Sequence, residues 1–199
     1  FIPAPNRHHP SEKMAAIVEM MCAKSTTRIK WTISKESVGE IKHMLHEQKI
    51  SPKQKPIGID GELLITLFGY EWVDLLISKI SSAINVPFYL YAENQPDNAM
   101  IQWLKKTRKP VLFDLSPTRI SALIQQSNVV ISSKGVFSEL AYLFMTKQIG
   151  IYLEKDLHKL CHPSERERAV TFSDKPDDQA IDLIVKKLEG MYEKASPSK

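Results

Sequence analysis

The stretch VLFDLSPTRISALIQQSNVVISSKGVFSELAYLFMTKQIGIYL, residues 111–153, alternates short apolar runs with longer segments whose apolar residues recur at helical spacing. The apolar runs are residues 111–113, 128–132 and 148–153. One intervening segment opens with Ser116 and Pro117, the order typical of an N-cap residue followed by the first helical position. The other runs from Val136 to Met145. Such alternation of strand and helix predicts βαβ units and a parallel sheet.

The same alternation extends on both sides of this stretch. Upstream, it predicts strands at residues 56–60 and 86–91 and helices at 66–84 and 96–106. Downstream, it predicts a loop after residue 156, an edge strand at 170–172 and an amphipathic helix at 177–193. The predicted fold class is therefore α/β, a Rossmann-like parallel sheet with flanking helices, and this domain is predicted to span residues 56–195.

The first 55 residues follow a different pattern. They predict a helix at 11–23, a short strand at 28–33 and a second helix at 34–47 with Ser34 as its N-cap. We expect residues 1–55 to form a helical N-terminal arm or interdomain segment that packs on the α/β core. Because the chain begins at Phe1 without a methionine, we also expect it to be a fragment of a longer protein.

Composition restricts the class of protein. A chain of 199 residues with 43% hydrophobic and 25% charged residues predicts one globular core. The 27 basic and 23 acidic side chains give a net charge of +4 spread along the chain. This surplus suits a phosphate-bearing ligand or an anionic membrane surface, and it does not favour nucleic-acid binding.

The cysteine content and the hydropathy of the sequence indicate where in the cell the protein is expected. Cys22 and Cys161 form no CxxC pair, so the sequence predicts neither a disulfide scaffold nor a structural zinc site. No apolar run reaches the roughly 18 residues of a transmembrane helix. We therefore expect a cytoplasmic protein, with a peripheral contact at the inner membrane as a further option.

The turn from residue 132 to residue 139 is the strongest candidate site. Ligands of open parallel sheets bind beyond the carboxyl ends of the strands, where helix N-termini favour phosphate oxygens. Gly135 would let a diphosphate approach the backbone, while Lys134 supplies a cation and Ser133 a hydroxyl. Glu139 could accept hydrogen bonds from a ribose or sugar. The plainer alternative is that Gly135 only makes the turn and that Ser138 and Glu139 cap the helix.

The order of residues 115–153 resembles the C-terminal domain of GT-B glycosyltransferases, in particular the family 9 enzymes that include the ADP-heptose lipopolysaccharide heptosyltransferases. In that family a helix and a hydrophobic strand lead into Asp-Thr-Gly-x-x-His, then an alanine-rich helix and another strand. The counterpart of the motif here is SKGVFS, residues 133–138. The resemblance covers most of residues 8–155. It implies one half of a GT-B enzyme whose site for a nucleotide-diphosphate sugar comprises Ser133, Lys134, Gly135, Ser138 and Glu139, with Glu93 near the sugar.

The chain also departs from the family pattern. Ser133, Lys134 and Ser138 replace the Asp, Thr and His of the motif, so it retains only Gly135. The loop at residues 60–64 offers no counterpart of the lysine that the family uses near the donor phosphates. The family's catalytic base belongs to an N-terminal domain that this chain lacks. The resemblance therefore implies that the N-terminal half is a partner chain or was removed, or that the protein no longer transfers sugar.

Three hypotheses follow, and they leave open whether the chain is an enzyme. The first is the nucleotide-diphosphate-sugar-binding half of a glycosyltransferase, of the type that serves lipopolysaccharide biosynthesis. The second is a non-catalytic binding or assembly module that has kept the fold and lost the motif. The third is a sugar epimerase-like protein, because residues 135–139 are similar to the glycine-to-glutamate loop of that group. None of them calls for a cofactor.

Other residue clusters have simpler explanations. His8 and His9 with His158 and His162 would suggest a metal site, but no HxxxH or HExxH pair lies on a predicted helix, so solvated loop histidines and no metal are expected. Asp60 and Glu62 form a carboxylate pair that a turn at a strand end explains equally well.

Overall fold

The computed structural model describes residues 33–51, 53–174 and 177–193. They contain a parallel sheet with the strands β1 (Ile57–Asp60), β2 (Phe88–Ala92), β3 (Val111–Phe113), β4 (Val129–Ser132), β5 (Lys147–Leu153) and β6 (Val170–Phe172). The strand order is β3-β2-β1-β4-β5-β6. This order is that of doubly wound Rossmann folds, and it confirms the predicted α/β class and the edge position of β6.

Helices flank the sheet on both sides. They are α1 (Lys35–Glu47), α2 (Gly61–Phe68), α3 (Tyr70–Ala83), α4 (Asn98–Thr107), α5 (Pro117–Gln126), α6 (Val136–Leu143), α7 (Leu157–Leu160) and α8 (Asp178–Glu193). Within the described ranges, no helix is long and apolar enough to cross a membrane.

The strands bury alternate side chains on opposite faces of the sheet, because successive residues of a strand point to opposite sides. One core joins Ile57 and Ile59 of β1 to the helices α2, α3, α4 and α8. The other joins Tyr89 and Tyr91 of β2 to α1, α5 and α6. These two apolar layers fix the carboxyl ends of β1 and β4 at the centre of the molecule.

The predicted helix at residues 66–84 is wrong in its extent. Two helices occupy this region, since α2 starts directly after β1 and ends before Gly69, whose φ of 86° is accessible mainly to glycine. Phe68, the last residue of α2, contacts Phe172 of β6, with 5.5 Å between ring centroids and 80° between ring planes. Helical periodicity continues across Gly69 in the sequence, so the pattern alone did not locate the break.

The predicted loop after residue 156 is also wrong. This segment consists of a 3-10 turn at Glu154–Asp156, the short helix α7 and a second 3-10 segment at Pro163–Arg168. His162 stacks on Tyr142 of α6 with 3.5 Å between ring centroids, so it is not a solvated loop histidine. The segment therefore packs against the sheet domain.

Two predicted helix caps differ in outcome. The Ser34 hydroxyl accepts a hydrogen bond from the Ser37 backbone N–H at 3.0 Å, which confirms Ser34 as the N-cap of α1. Ser116 precedes Pro117 at the start of α5 as predicted, but its hydroxyl pairs with Thr118 Oγ1 at 3.1 Å and caps no backbone group.

Helix α1 packs on α5 and belongs to the second core. Ile41 and Leu45 lie in one apolar cluster with Leu123 of α5, and Arg119 donates two hydrogen bonds to Glu40 at 2.7 and 2.8 Å. The predicted helix at 11–23 and all of the predicted strand at 28–33 except Ile33 lie outside the described residues, and Ile33 is not in a strand. The domain boundary at residue 55 stays a prediction.

We predict that Ile41→Ala lowers the free energy of unfolding by about 2 to 4 kcal/mol, because Ile41 is fully buried and its truncation leaves a cavity. Urea denaturation measures this change. Lys42→Ala on the exposed face of the same helix serves as the control and should stay within about 0.5 kcal/mol of the parent. Equal effects of the two changes would contradict the packing of α1 on the core.

Candidate functional site

An open cleft of about 420 Å³ lies beyond the carboxyl ends of β1, β2 and β4. The strand order reverses between β1 and β4, and doubly wound folds bind their ligands at this point. Its walls include Asp60 at the end of β1, Glu62 and Thr66 of α2, Tyr91 and Glu93 around the end of β2, and Lys134 and Gly135 in the β4–α6 turn.

The β4–α6 turn is open toward the cleft. Gly135 has φ of 124° and ψ of −177°, a conformation that side chains other than glycine rarely adopt, and a Cβ atom there would meet no heavy atom within 4 Å. No side chain caps α6, and its first intrahelical bond joins the Glu139 N–H to the Gly135 carbonyl. The preceding amides of the turn are therefore available to an anion.

Asp60 lies at the base of the cleft and is only 5% exposed. Ser132 at the end of β4 donates a hydrogen bond from its hydroxyl to Asp60 Oδ2 at 2.8 Å. Burial raises the pKa of Asp60 to about 7, although the Ser132 hydrogen bond and the Leu63 backbone N–H partly oppose this shift. The negative charges of Glu62 and Glu93 add to it. A substantial fraction of Asp60 is therefore protonated at neutral pH.

The other two carboxylates of the cleft differ in their partners. Glu62 accepts hydrogen bonds from the backbone N–H and the side-chain amide of Asn94, at 3.0 and 3.1 Å, which ties α2 to the loop after β2. Glu93 is exposed and lines the cleft. Carboxylate oxygens accept hydrogen bonds only, so this wall suits ligand groups that donate them, such as sugar hydroxyls.

Stacked aromatic rings support the cleft from below. Tyr91 of β2 lies parallel to Phe137 of α6, with 4.8 Å between centroids and 7° between planes. Both side chains are nearly inaccessible to solvent, and burial is the main cause that raises the pKa of Tyr91. This contact fixes the start of α6, and with it Gly135, relative to β2.

The structure brings together three of the six predicted binding residues. Lys134, Gly135 and Glu93 line the cleft. Ser133 is buried, its carbonyl accepts a hydrogen bond from the Tyr152 hydroxyl at 3.3 Å, and it lines an adjoining pocket of about 180 Å³ that shares Lys134 with the cleft. Although Ser133 lies next to Lys134 in the sequence, it does not line the cleft.

Ser138 and Glu139 lie outside the cleft. Gln148 of β5 donates a hydrogen bond from its side-chain amide to the buried Ser138 hydroxyl at 2.6 Å. Glu139 follows on α6, and both residues line a separate small pocket beside Tyr142. Their predicted contact with a nucleotide sugar stays a prediction, and the geometry of the cleft does not support it.

Sequence reasoning gave too little weight to Asp60 and missed Tyr91 and Thr66. The predicted turn at a strand end is wrong for this pair, because Asp60 is the last residue of β1 and Glu62 already lies in α2, which starts at Gly61. The available signal was a carboxylate as the last residue of an otherwise apolar strand. In the described part of the chain, no three His, Cys, Asp or Glu side chains come together as possible metal ligands.

No protein-family model matches the sequence, and no curated protein matches it. Among solved structures, the chain is similar to the crystal structure of a glycosyl transferase family 9 protein from Veillonella parvula, with a TM-score of 0.62. The match covers 98% of this chain and 60% of that chain at 11% sequence identity. At this identity the likeness establishes a shared fold, and the chain spans well under two thirds of the length of that protein.

We predict that Gly135→Ala costs about 1 to 3 kcal/mol of stability, because alanine is strained at a φ of 124° even though space is available for its Cβ atom. Gly190→Ala within α8 is the matched control. It also meets open space, but its backbone is helical, so alanine should be neutral or stabilising by up to about 1 kcal/mol. Thermal unfolding of both variants measures the difference, and similar shifts would argue against the strained turn.

We predict that Asp60→Asn changes how stability depends on pH. The folded-state pKa of Asp60 is raised from 3.8 to about 7, so its protonation stabilises the parent below pH 4, and this stabilisation is lost as the pH rises through 7. The loss amounts to at most about 4 kcal/mol. Urea denaturation should therefore show the parent losing stability relative to Asp60→Asn between pH 4 and pH 8. A difference that does not vary with pH would contradict the assignment.

Proposed function

We propose that this chain is the nucleotide-diphosphate-sugar-binding half of a glycosyltransferase, built like the C-terminal half of a GT-B enzyme with a degenerate motif. The observation that carries the proposal is the open turn at Lys134 and Gly135, which lies where the strand order reverses in a parallel sheet. The shared fold with a glycosyl transferase family 9 protein supports it.

The diphosphate would lie against the β4–α6 turn. There the uncapped amides at the start of α6 and the positive end of the helix dipole favour phosphate oxygens. Lys134 is exposed and makes no ion pair with any residue in the described ranges, so its ammonium group is available to a phosphate. Absence of a side chain at Gly135 lets the ligand approach the backbone closely.

The hydroxyl groups of the ligand would face the opposite wall. Glu93 projects into the cleft without a described hydrogen-bond donor, and the Thr66 hydroxyl is already bound to the Glu62 carbonyl at 2.8 Å. Glu93 is therefore the group on this wall that would accept a hydrogen bond from a ribose or sugar hydroxyl. Glu93 and Lys134 line the same cleft without forming an ion pair with each other, and this arrangement fits a ligand with an anionic centre and a hydroxyl-bearing end.

Transfer of the sugar would need a second domain. The chain matches 60% of the neighbouring structure, and a glycosyl acceptor must lose a proton to a base as it attacks the donor. The proposed enzyme therefore takes its base from an N-terminal GT-B half or a partner chain. Lipopolysaccharide synthesis at the cytoplasmic face of a membrane is the setting that the resemblance suggests, with no role for nucleic acid.

A non-catalytic binding or assembly module is the second candidate. The charges of the cleft favour it, because Asp60, Glu62 and Glu93 stand against the single Lys134 in its walls. A site evolved to hold a diphosphate tightly would be expected to carry more cations. The epimerase-like alternative gains no support from the cleft, because Glu139 does not line it.

We predict that Lys134→Ala weakens binding of ADP-sugars or UDP-sugars by roughly 10- to 100-fold in Kd. Such a loss corresponds to about 1.5 to 3 kcal/mol for a charge-assisted phosphate contact. Isothermal titration calorimetry on the chain measures it directly.

Lys105→Ala is the matched control, because it removes the same charge from the exposed surface of α4 away from the cleft. It should leave the affinity nearly unchanged. Equal losses of affinity in both variants would mean that Lys134 acts only through the net charge of the chain. Failure of the parent chain to bind any sugar nucleotide would favour the non-catalytic module.

A further inference from the structure

Asp60 is a buried carboxyl group that faces a cavity. Its surroundings supply one side-chain hydrogen bond, from Ser132, and no cationic side chain of the described residues forms an ion pair with it. Burial of an ionised carboxylate without a counter-charge costs several kcal/mol. Burial therefore favours the neutral form of the Asp60 carboxyl group over the ionised form.

The titratable and charged groups around Asp60 come from four elements. Glu62 faces it from α2 and Glu93 from the loop after β2, while the phenols of Tyr89 and Tyr91 lie on β2. Lys134 lines the same cleft from the β4–α6 turn. Burial holds the pKa of both tyrosines above its ordinary value, so neither phenol ionises near neutral pH. An anion that enters here meets carboxylates on one side and a lysine with helix amides on the other.

Resting on the proposed function, we propose that Asp60 takes up a proton from solvent when a sugar nucleotide binds, so that its neutral carboxyl group accommodates the diphosphate. In the neutral form the carboxyl can donate a hydrogen bond to a phosphate or sugar oxygen. Its ionised form would instead place a like charge within the same small cleft. Asp60 thereby links anion binding to proton uptake.

The direction of the pH dependence follows from linkage. The free chain has an Asp60 pKa of about 7, and a bound diphosphate raises it further. At about one pH unit or more below 7, Asp60 is mostly protonated in the free chain and the affinity is nearly constant. Above pH 7 each binding event has to draw a proton from solvent, so the affinity falls by roughly tenfold per pH unit.

Calorimetry with an intact ADP-sugar or UDP-sugar tests this inference on the parent chain. The phosphates of a sugar nucleotide are diesters with no ionisation near neutrality, whereas a terminal phosphate has a second pKa of about 6 and would confuse the result. Titrations at pH 6.0, 7.0 and 8.5, each in two phosphate-free buffers that differ in ionisation enthalpy and buffer at that pH, give the affinity and the number of protons taken up. We expect uptake that approaches one proton at pH 8.5 and an affinity that decreases from pH 7.0 to 8.5.

Asp60→Asn supplies the decisive comparison, because the amide keeps the shape of the neutral carboxyl group and cannot ionise. The variant should bind nearly as tightly as the parent at pH 6.0, more tightly at pH 8.5, and without proton uptake. Glu62→Gln and Glu93→Gln each remove another carboxylate from the same cleft and should retain the fall in affinity with pH, whatever their absolute affinities.

The outcomes separate this inference from the proposed function. Binding by the parent that does not vary with pH and takes up no proton overturns the inference alone. A pH dependence that persists in Asp60→Asn, or one that disappears in Glu62→Gln or Glu93→Gln, also overturns it. Absence of sugar-nucleotide binding at pH 6.0 overturns the proposed function, and the inference with it.

Discussion

The structure depends on the absence of a side chain at Gly58, in the central strand β1. Gly58 of β1 points toward α5 and α6, and a Cβ atom at this position would collide with the ring of Tyr89 from β2. The fully buried Tyr89 side chain fills that space, and its hydroxyl pairs with Ser127 at the end of α5 at 2.7 Å. Because Gly58 has no side chain, the Tyr89 ring can lie over β1 and hold α5 in place. A side chain at this position of β1 would prevent this packing.

The same alternation places the cleft's carboxyl group. Residues two apart in a strand share a face, so Asp60 follows Gly58 on the side of α6. Its parallel neighbour β4 ends at Ser132, whose hydroxyl bonds to Asp60. The face of β1 that carries no apolar side chain therefore provides both the room for Tyr89 and the polar base of the cleft. The packing of Tyr89 and the position of the cleft therefore both depend on this face of β1.

The sequence pattern predicts most of the strands well because each apolar run is short and lies between segments of helical periodicity, as at Val111–Phe113. It predicted the turn at Gly135 because a glycine between a strand and a helix has few other roles. The pattern does not distinguish Lys134 from Ser138, because the β4–α6 turn places Lys134 in the cleft while α6 carries Ser138 to a separate pocket. Nor could it rank Asp60, whose importance depends on Ser132 across the sheet and on burial that only the packed helices create.

The charges of the cleft also bear on the proposed function, which calls for a second domain. With Asp60 neutral, Glu62 and Glu93 still outnumber Lys134, and the positive end of α6 contributes only about half a unit charge. Glu62 accepts two hydrogen bonds from Asn94 at the wall of the cleft, and a bound diphosphate would leave this half with excess negative charge. A partner half that completes a glycosyltransferase would therefore have to face the cleft with basic side chains, and a chain that acts alone would be better suited to ligands with more hydroxyl groups and less charge.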